Sequence, residues 1–276
     1  MKRTKIMSLL LATAMSASLI ACGSASGSNS SSNSSSSDNT NSSSSTESSS
    51  TESVSKDSGS VGNSEKPLVW FNRQPSNSST GELDMNALSF NDNTYYVGFD
   101  ANQGAELQGT MILEYIQNNI EGLDRNGDGI IGYVLAIGDI GHNDSIARTR
   151  GVRNALGTAV EKDGATDSSP VGTNVDGTAT AVKDGTIEVD GKSYTVRELA
   201  SQEMKNSAGA TWDAATAGNA IGTWSASFGE QIDIIASNND GMGMAMFNAW
   251  SKANEVPTFG YDANADAVAA IAEGYG

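Results

Sequence analysis

The sequence predicts an α/β domain in which a parallel β-sheet is covered by helices on both faces. Short apolar runs bounded by turn-forming residues alternate with segments whose apolar residues recur at helical spacing. Strands that alternate with helices in this way are typical of parallel sheets. A third observation, an Asp190-Gly191 pair inside a segment of alternating polarity, predicts one inserted β-hairpin.

The first element in the chain, residues 1–21, predicts a lipoprotein signal peptide. Three basic residues within the first five precede an uncharged apolar run over residues 6–20, which is too short to span a bilayer comfortably. The run ends in Leu19-Ile20-Ala21-Cys22, which resembles the processing site of bacterial lipoproteins. Lipidation of Cys22 would anchor the chain on the outer face of the cell membrane, extracellular or periplasmic. The alternative is an ordinary signal peptide followed by an unrelated cysteine.

Residues 22–65 predict a disordered tether, because they are rich in Ser and contain almost no apolar residue. The formal net charge of the chain is -17, with a single histidine and no basic patch. This charge balance argues against a nucleic acid as a partner.

Ordered structure is predicted from Lys66 to the end of the sequence. We expect buried strands and amphipathic helices in the order that a parallel sheet requires. We expect the hairpin over residues 186–196 to be a surface insertion that does not join the sheet. The predicted strands cover residues 67–71, 95–99, 132–137, 232–236 and 258–261, and the predicted helices cover 102–120, 144–156, 240–253 and a stretch from about 264.

One loop has the pattern of a calcium site. In Asp124-Arg125-Asn126-Gly127-Asp128-Gly129, oxygen-bearing side chains occupy alternate positions and glycine occupies the sixth. The carbonyl of Ile130 would add a further oxygen ligand. Position twelve is Leu135 and not Glu, so the loop is not an EF-hand and its last carboxylate must come from elsewhere. The alternative is a loop closed by Asx turns without a metal.

The segment Gly141-His142-Asn143-Asp144-Ser145-Ile146-Ala147-Arg148 follows this loop and the next strand. Together they resemble the galactose/glucose-binding protein family, the periplasmic sugar-binding components of ABC importers, which have the periplasmic binding protein-like I fold. That family closes its calcium site with an acidic residue whose position Asp233 matches. The resemblance therefore implies calcium ligands at Asp124, Asn126, Asp128, Ile130 and Asp233. Gly132 stands where the family supplies another side-chain ligand.

The resemblance also implies a sugar site at the ends of apolar strands, where ligands of open α/β sheets bind. Trp212 would stack on the sugar ring, and the polar residues would hydrogen-bond to its hydroxyls. Five of the seven residues have an ordinary alternative: Asn72 as a turn residue, His142 at the surface, Asp144 as a helix cap, Arg148 in an i,i+4 salt bridge and Trp212 in the core. The implied sugar-binding residues are Asn72, His142, Asp144, Arg148, Trp212, Asn239 and Asp262.

The resemblance further implies two lobes of unequal completeness. Residues 66–100 would be a remnant of the first sugar-binding lobe, and residues 101–276 would form the second, with an insertion at about 165–207. Family members have an additional strand with an Asp and an aromatic residue, and two strand–helix units, before the segment that Trp70-Phe71-Asn72 resembles. In this sequence the Ser-rich tether leads directly into that segment.

The function implied is that of a solute-binding lipoprotein of a sugar ABC transport system, with D-galactose or D-glucose as ligand. Its partners would be the membrane permease subunits and, in addition, a chemoreceptor. An incomplete or accessory fragment of the family, with no effective sugar binding, is the alternative. We do not expect an enzyme, since the sequence contains no Ser/His/Asp set, Walker loop or redox motif.

Overall fold

The computed structural model of the protein describes residues 66–77, 81–250 and 252–274. The predicted signal peptide, the lipidation site Cys22 and the tether lie outside the described residues. Among the helices that are described, none combines the length and the apolar character needed to cross a membrane.

Strands and helices alternate along most of the described chain. The strands are β1 (Leu68–Asn72), β2 (Thr94–Gly98), β3 (Ile130–Ile137), β4 (Glu161–Lys162), β5 (Ala165–Thr166), β6 (Gly172–Thr173), β7 (Gly185–Val189), β8 (Lys192–Glu203), β9 (Ile234–Ser237) and β10 (Thr258–Phe259). The helices are α1 (Met85–Leu88), α2 (Ala101–Leu123), α3 (Asn143–Ala155), α4 (Ala214–Phe228), α5 (Asp240–Ala249) and α6 (Ala265–Ala272).

The main sheet has the strand order β10-β9-β3-β8-β6, and β7 pairs with β8 beside this path. β10, β9, β3 and β8 run parallel to one another, as predicted. β6 and β7 run antiparallel along the outer edge of β8. The inserted segment before β8 therefore covers an edge that would otherwise present unpaired backbone groups.

The predicted hairpin is present, but the prediction that it does not join the sheet is wrong. β8 pairs with β3 from Ile130–Thr195 to Ile137–Glu203, so the second hairpin strand is a central strand of the main sheet. The reason is its length: the first part of β8 pairs with β7, and the strand then continues into the core, where Leu199 and Ala200 are buried.

Helices cover both faces of the main sheet, as predicted. The side chains of β3 alternate between the faces. Tyr133 and Leu135 pack with α2 and α3, whereas Val134 and Ala136 pack with α4 and α5. Helix α4 was not among the predicted elements, because most of its residues are small. Its buried residues nevertheless recur at helical spacing: Ala217, Ala220, Ile221, Trp224 and Phe228.

A fully buried ion pair joins α3 to β8. Arg153 Nη2 donates to Glu198 Oε1 at 2.7 Å, and Arg153 Nε donates to Glu198 Oε2 at 2.9 Å. The hydroxyl of Tyr133 donates to the same carboxylate at 2.8 Å. Burial, followed by the charge of Glu198, raises the pKa of Tyr133 well above its usual value, so this hydroxyl keeps its proton. Arg153 also donates to the carbonyls of Asp167 and Ser169, which fastens the insertion to α3.

The first two strands form a separate two-stranded parallel sheet, with pairs from Leu68–Thr94 to Asn72–Gly98. We predicted buried strands here, and that part of the prediction is wrong. Val69 pairs with Tyr95 and Phe71 pairs with Val97, and all four side chains are exposed. Because paired residues point to the same face, these side chains form one continuous apolar surface.

Candidate functional site

Three loops that follow parallel strands meet at one end of the main sheet. Residues 138–142 follow β3, residues 238–239 follow β9, and residues 260–263 follow β10. Because β3, β9 and β10 run parallel, their carboxyl ends lie at the same edge of the sheet. This edge is where open α/β sheets bind ligands.

Arg148 lies at the centre of this edge. Its side chain is only 7% exposed, and its Nη2 lies 3.3 Å from the Asp262 carboxylate and 3.8 Å from that of Asp144. Its guanidinium carbon lies 3.6 Å from the centroid of the Tyr261 ring. The guanidinium is therefore held by two carboxylates and one aromatic face, as a nearly buried charge requires.

Trp212 lies beside this cluster, next to the only histidine in the sequence. The rings of Trp212 and His142 meet edge to face, with centroids 5.4 Å apart and planes at 84°. The Arg148 guanidinium carbon lies 5.8 Å from the Trp212 centroid. Gly138 packs against the indole so closely that a Cβ there would overlap it. Trp212 also packs, half-buried, against the core between the sheet and α4.

His142 begins α3, since its Nδ1 accepts from the backbone N–H of Asp144 at 3.1 Å. The alternative in which Asp144 caps the helix is wrong, because Asp144 lies in the first helical turn. Partial burial, and then the nearby charge of Arg73, lower the pKa of His142. Both effects favour the neutral imidazole, which is the form that can accept this hydrogen bond.

Asn239 and Asn72 lie at the margins of the cluster. Asn239 caps α5 by accepting from the backbone N–H of Met242 at 2.9 Å, so part of its hydrogen-bonding capacity serves the helix. Asn72 ends β1, and among the described residues no hydrogen bond or ion pair links it to the other six predicted sugar ligands. Its loop does approach α3, since the Asn143 side chain donates to the Gln74 carbonyl at 3.3 Å.

Several of the predicted sugar ligands have a strained backbone. Six non-glycine residues in the described ranges have positive φ, a region that such residues seldom adopt. Three are predicted sugar ligands: Asn72 at 65°, Trp212 at 58° and Asp262 at 97°. Ala263, which follows Asp262, is a fourth, and the remaining two occupy hairpin turns. Strain of this kind clusters at functional sites, so it supports a site here without reference to any family.

Sequence reasoning missed two residues that complete the cluster. Tyr261 covers the Arg148 guanidinium, and Asn238, which is fully buried, accepts from Arg148 Nη1 through its carbonyl at 2.6 Å. Each of the two residues directly precedes a predicted ligand at a strand end. This position in the sequence was the feature that could have identified them. Asp139 is a third residue at this edge, where it accepts from the Thr211 hydroxyl at 3.0 Å.

The predicted calcium loop is closed by its own hydrogen bonds. Asp124 accepts from the backbone N–H groups of Gly127, Asp128 and Gly129, and Asp128 accepts from that of Ile130. These hydrogen bonds form the Asx turns that we gave above as the alternative to a calcium site. Within residues 66–77, 81–250 and 252–274, no group of three or more His, Cys, Asp or Glu side chains is arranged to hold a metal ion.

Asp233 does reach the loop. It accepts from the backbone N–H groups of Arg125 at 3.1 Å and Gly132 at 2.8 Å. Burial, and to a smaller extent the nearby charge of Asp124, raise the pKa of Asp233 to about 7 against the effect of these two hydrogen bonds. The predicted ligands offer only oxygen atoms, which are the atoms that Ca²⁺ binds. Their carboxylates, however, are not gathered around one point.

Known proteins resemble this chain over most of the described region. The family model described as "Periplasmic binding protein domain" matches residues 84–275. The D-galactose/methyl-galactoside binding periplasmic protein MglB of Haemophilus influenzae is 29% identical over 219 residues, which cover 78% of this chain and 51% of that protein. The chain thus spans about half the length of this relative.

The solved structures include the crystal structure of a galactofuranose binding protein. It matches with a TM-score of 0.36 and 13% identity, over 66% of this chain and 42% of that one. The assignment follows from the family model, which covers more than half of the sequence, and it confirms the predicted resemblance and fold class. The chain belongs to the periplasmic binding protein domain family.

Proposed function

We propose that this chain binds a monosaccharide, D-galactose or D-glucose, as the solute-binding lipoprotein of a sugar ABC transport system. Members of its family bind solutes and are not enzymes, and the MglB relative is named for D-galactose and methyl-galactoside. The observation that carries the proposal is the cluster in which Arg148 lies between two carboxylates and beside the Trp212 ring.

The chemistry of this cluster matches a pyranose. A sugar hydroxyl both donates and accepts, so it can accept from the Arg148 guanidinium and donate to the carboxylate of Asp144 or Asp262. The C–H groups of one sugar face are apolar and can stack on the Trp212 indole. A half-buried indole beside charged groups offers these two kinds of contact together.

A second candidate is an incomplete or accessory fragment that binds no sugar effectively. It is favoured by the two-stranded sheet, whose apolar face is exposed, and by the separation of Asn72 from the other predicted ligands. In this case Trp212 would be the single stacking surface, and many sugar hydroxyls would stay unpaired.

Calorimetric titration of D-galactose, and then of D-glucose, into residues 23–276 with calcium present tests the first proposal against the second. We expect saturable heat for the unaltered protein and for Trp250→Ala, whose indole lies outside the cluster near Arg125. We expect none for Trp212→Ala. A folded, unaltered protein that releases no heat with either sugar would favour the fragment.

We further propose that Cys22 carries a lipid that holds the domain on the outer face of the membrane, beside the permease subunits and in reach of a chemoreceptor. The family places the protein outside the cytoplasm, and the sequence before Cys22 supports the anchor. Cells fed a labelled fatty acid should label the unaltered protein and not Cys22→Ser. Label on both proteins would contradict the anchor.

Calcium binding is a further proposal, with Asp124, Asn126, Asp128, the Ile130 carbonyl and Asp233 as the ligands. The ion would act structurally, by neutralising the carboxylates that now accept from the loop backbone. Calcium at about 100 times its Kd should raise the free energy of unfolding by about 2.7 kcal/mol over a chelator-treated sample. Asp233→Asn should lose this gain, and an equal gain in that variant would contradict the ligand set.

A further inference from the structure

Asn238 is fully buried between β9 and α5, where its side chain and its backbone meet three different segments. Its Oδ1 accepts from the backbone N–H of Gly138 at 3.1 Å and from the Ser145 hydroxyl at 2.7 Å. Its carbonyl accepts from Arg148 Nη1 at 2.6 Å. Its own N–H donates to the Ala136 carbonyl at 2.9 Å, which fixes Asn238 to the end of β3.

Each of these partners supports a different part of the candidate sugar site. Gly138 lies directly beneath the Trp212 indole, and its carbonyl accepts from the backbone N–H of Trp212 at 3.3 Å. Ser145 follows Asp144 in α3, and its hydroxyl accepts from the Asp139 N–H at 3.1 Å. Arg148 forms ion pairs with the carboxylates of Asp144 and Asp262. The side-chain amide of Asn238 thus links the Gly138 backbone beneath the stacking ring to the start of α3. Its main-chain carbonyl, placed by the same packing, binds the Arg148 guanidinium.

We infer that Asn238 is a positioning residue for sugar recognition, one that fixes Arg148 and Trp212 without touching the ligand itself. The inference rests on the proposed function. Asn238 is fully buried, so its contribution must pass through its partners. Its Oδ1 receives two donors that would otherwise be buried without an acceptor, and unpaired buried donors are costly enough to displace the segments that carry them.

The test compares Asn238→Ala with Asn174→Ala in the full mature chain. Asn174 is also buried, donates to the Glu198 carbonyl at 3.0 Å and accepts from the Ala179 N–H at 3.2 Å, but it lies in the insertion. We expect both variants to unfold at lower temperature. Only Asn238→Ala should weaken D-galactose binding, by about tenfold or more, as loss of one well-placed contact would.

A second readout needs no sugar. His142 is the only histidine in the sequence, so an untagged sample gives a single imidazole NMR signal, which senses the Trp212 ring 5.4 Å away. Asn238→Ala should shift this signal, while Asn174→Ala should leave it in place. The inference is overturned if folded Asn238→Ala keeps the wild-type signal, or if Asn174→Ala moves it as far.

The two proposals fail in different ways. If the unaltered protein binds no sugar but only Asn238→Ala moves the His142 signal, the positioning role stands and the sugar proposal falls. If the unaltered protein binds sugar and Asn238→Ala binds it equally well, the sugar proposal stands and the positioning role is overturned.

Discussion

The main sheet and the two-stranded sheet are both parallel, yet they differ in how they are covered. Helices pack on both faces of the main sheet, and Leu135 on β3 is 0% exposed. On the two-stranded sheet Phe71 is 77% exposed and shares a face with three more exposed apolar side chains. Parallel strands gain most of their stability from covered faces, so the two regions should contribute unequally to folding.

The same difference separates the predicted ligands. Ring contacts and ion pairs at the main-sheet edge join His142, Asp144, Arg148, Trp212 and Asp262, whereas Asn72 lies at the end of β1. A cluster built on a covered sheet can hold its geometry before ligand arrives. The sugar recognition that we propose therefore depends mainly on residues of the main sheet.

The largest expected effect is at the buried ion pair of the main sheet. Glu198→Ala leaves Arg153 charged and without its carboxylate, and should lower the free energy of unfolding by about 3–5 kcal/mol in urea titrations. The control is Asp184→Ala, which breaks the exposed Arg197–Asp184 pair. This variant should lower the free energy of unfolding by only about 0.2–1 kcal/mol. Equal losses in the two variants would contradict the assignment of the buried pair as structural.

A direct comparison of the two sheets comes next. Leu135→Ala should cost about 2–5 kcal/mol of unfolding free energy, because it opens a cavity in a packed core. Val97→Ala removes an exposed side chain from the two-stranded sheet and should change the same quantity by no more than about 0.5 kcal/mol. A loss at Val97 as large as that at Leu135 would mean that another surface covers this face in solution.

The smallest effect concerns the loop where the two regions meet. Burial and then the Arg73 charge lower the pKa of His142 below its ordinary value of about 6.5. The unfolded chain therefore binds a proton more tightly, and stability should fall as pH drops through about 6.5. NMR titration should show this low pKa, and Arg73→Gln should raise it. An unchanged pKa in Arg73→Gln would mean that the β1 loop does not lie close to His142.

Much of this architecture could be predicted from local sequence. The segment from Gly141 to Arg148 places a capping residue, an acid and a base at fixed helical spacing, so its geometry follows from the helix alone. The alternation of strands and helices likewise predicted helices on both faces of the sheet. These features depend on residues that are close together in the chain.

The missed features depend on residues that are far apart. The Asp190-Gly191 turn correctly indicated a hairpin, but no local signal shows that β8 pairs with β3, whose Ile130 lies 65 residues before its partner Thr195. The hydrogen bond from Arg148 to the Asn238 carbonyl spans 90 residues. The exposure of β1 and β2 was missed because apolar composition indicates a strand without showing what packs against it.

The most direct test of sugar binding at the main-sheet edge follows the His142 NMR signal while D-galactose is added to residues 23–276. His142 contacts Trp212 and lies in the loop before Asp144, so sugar bound at this edge must change its surroundings. We predict a saturable shift that Trp212→Ala abolishes and Trp250→Ala retains. A folded protein whose His142 signal stays unmoved by D-galactose and by D-glucose would contradict it.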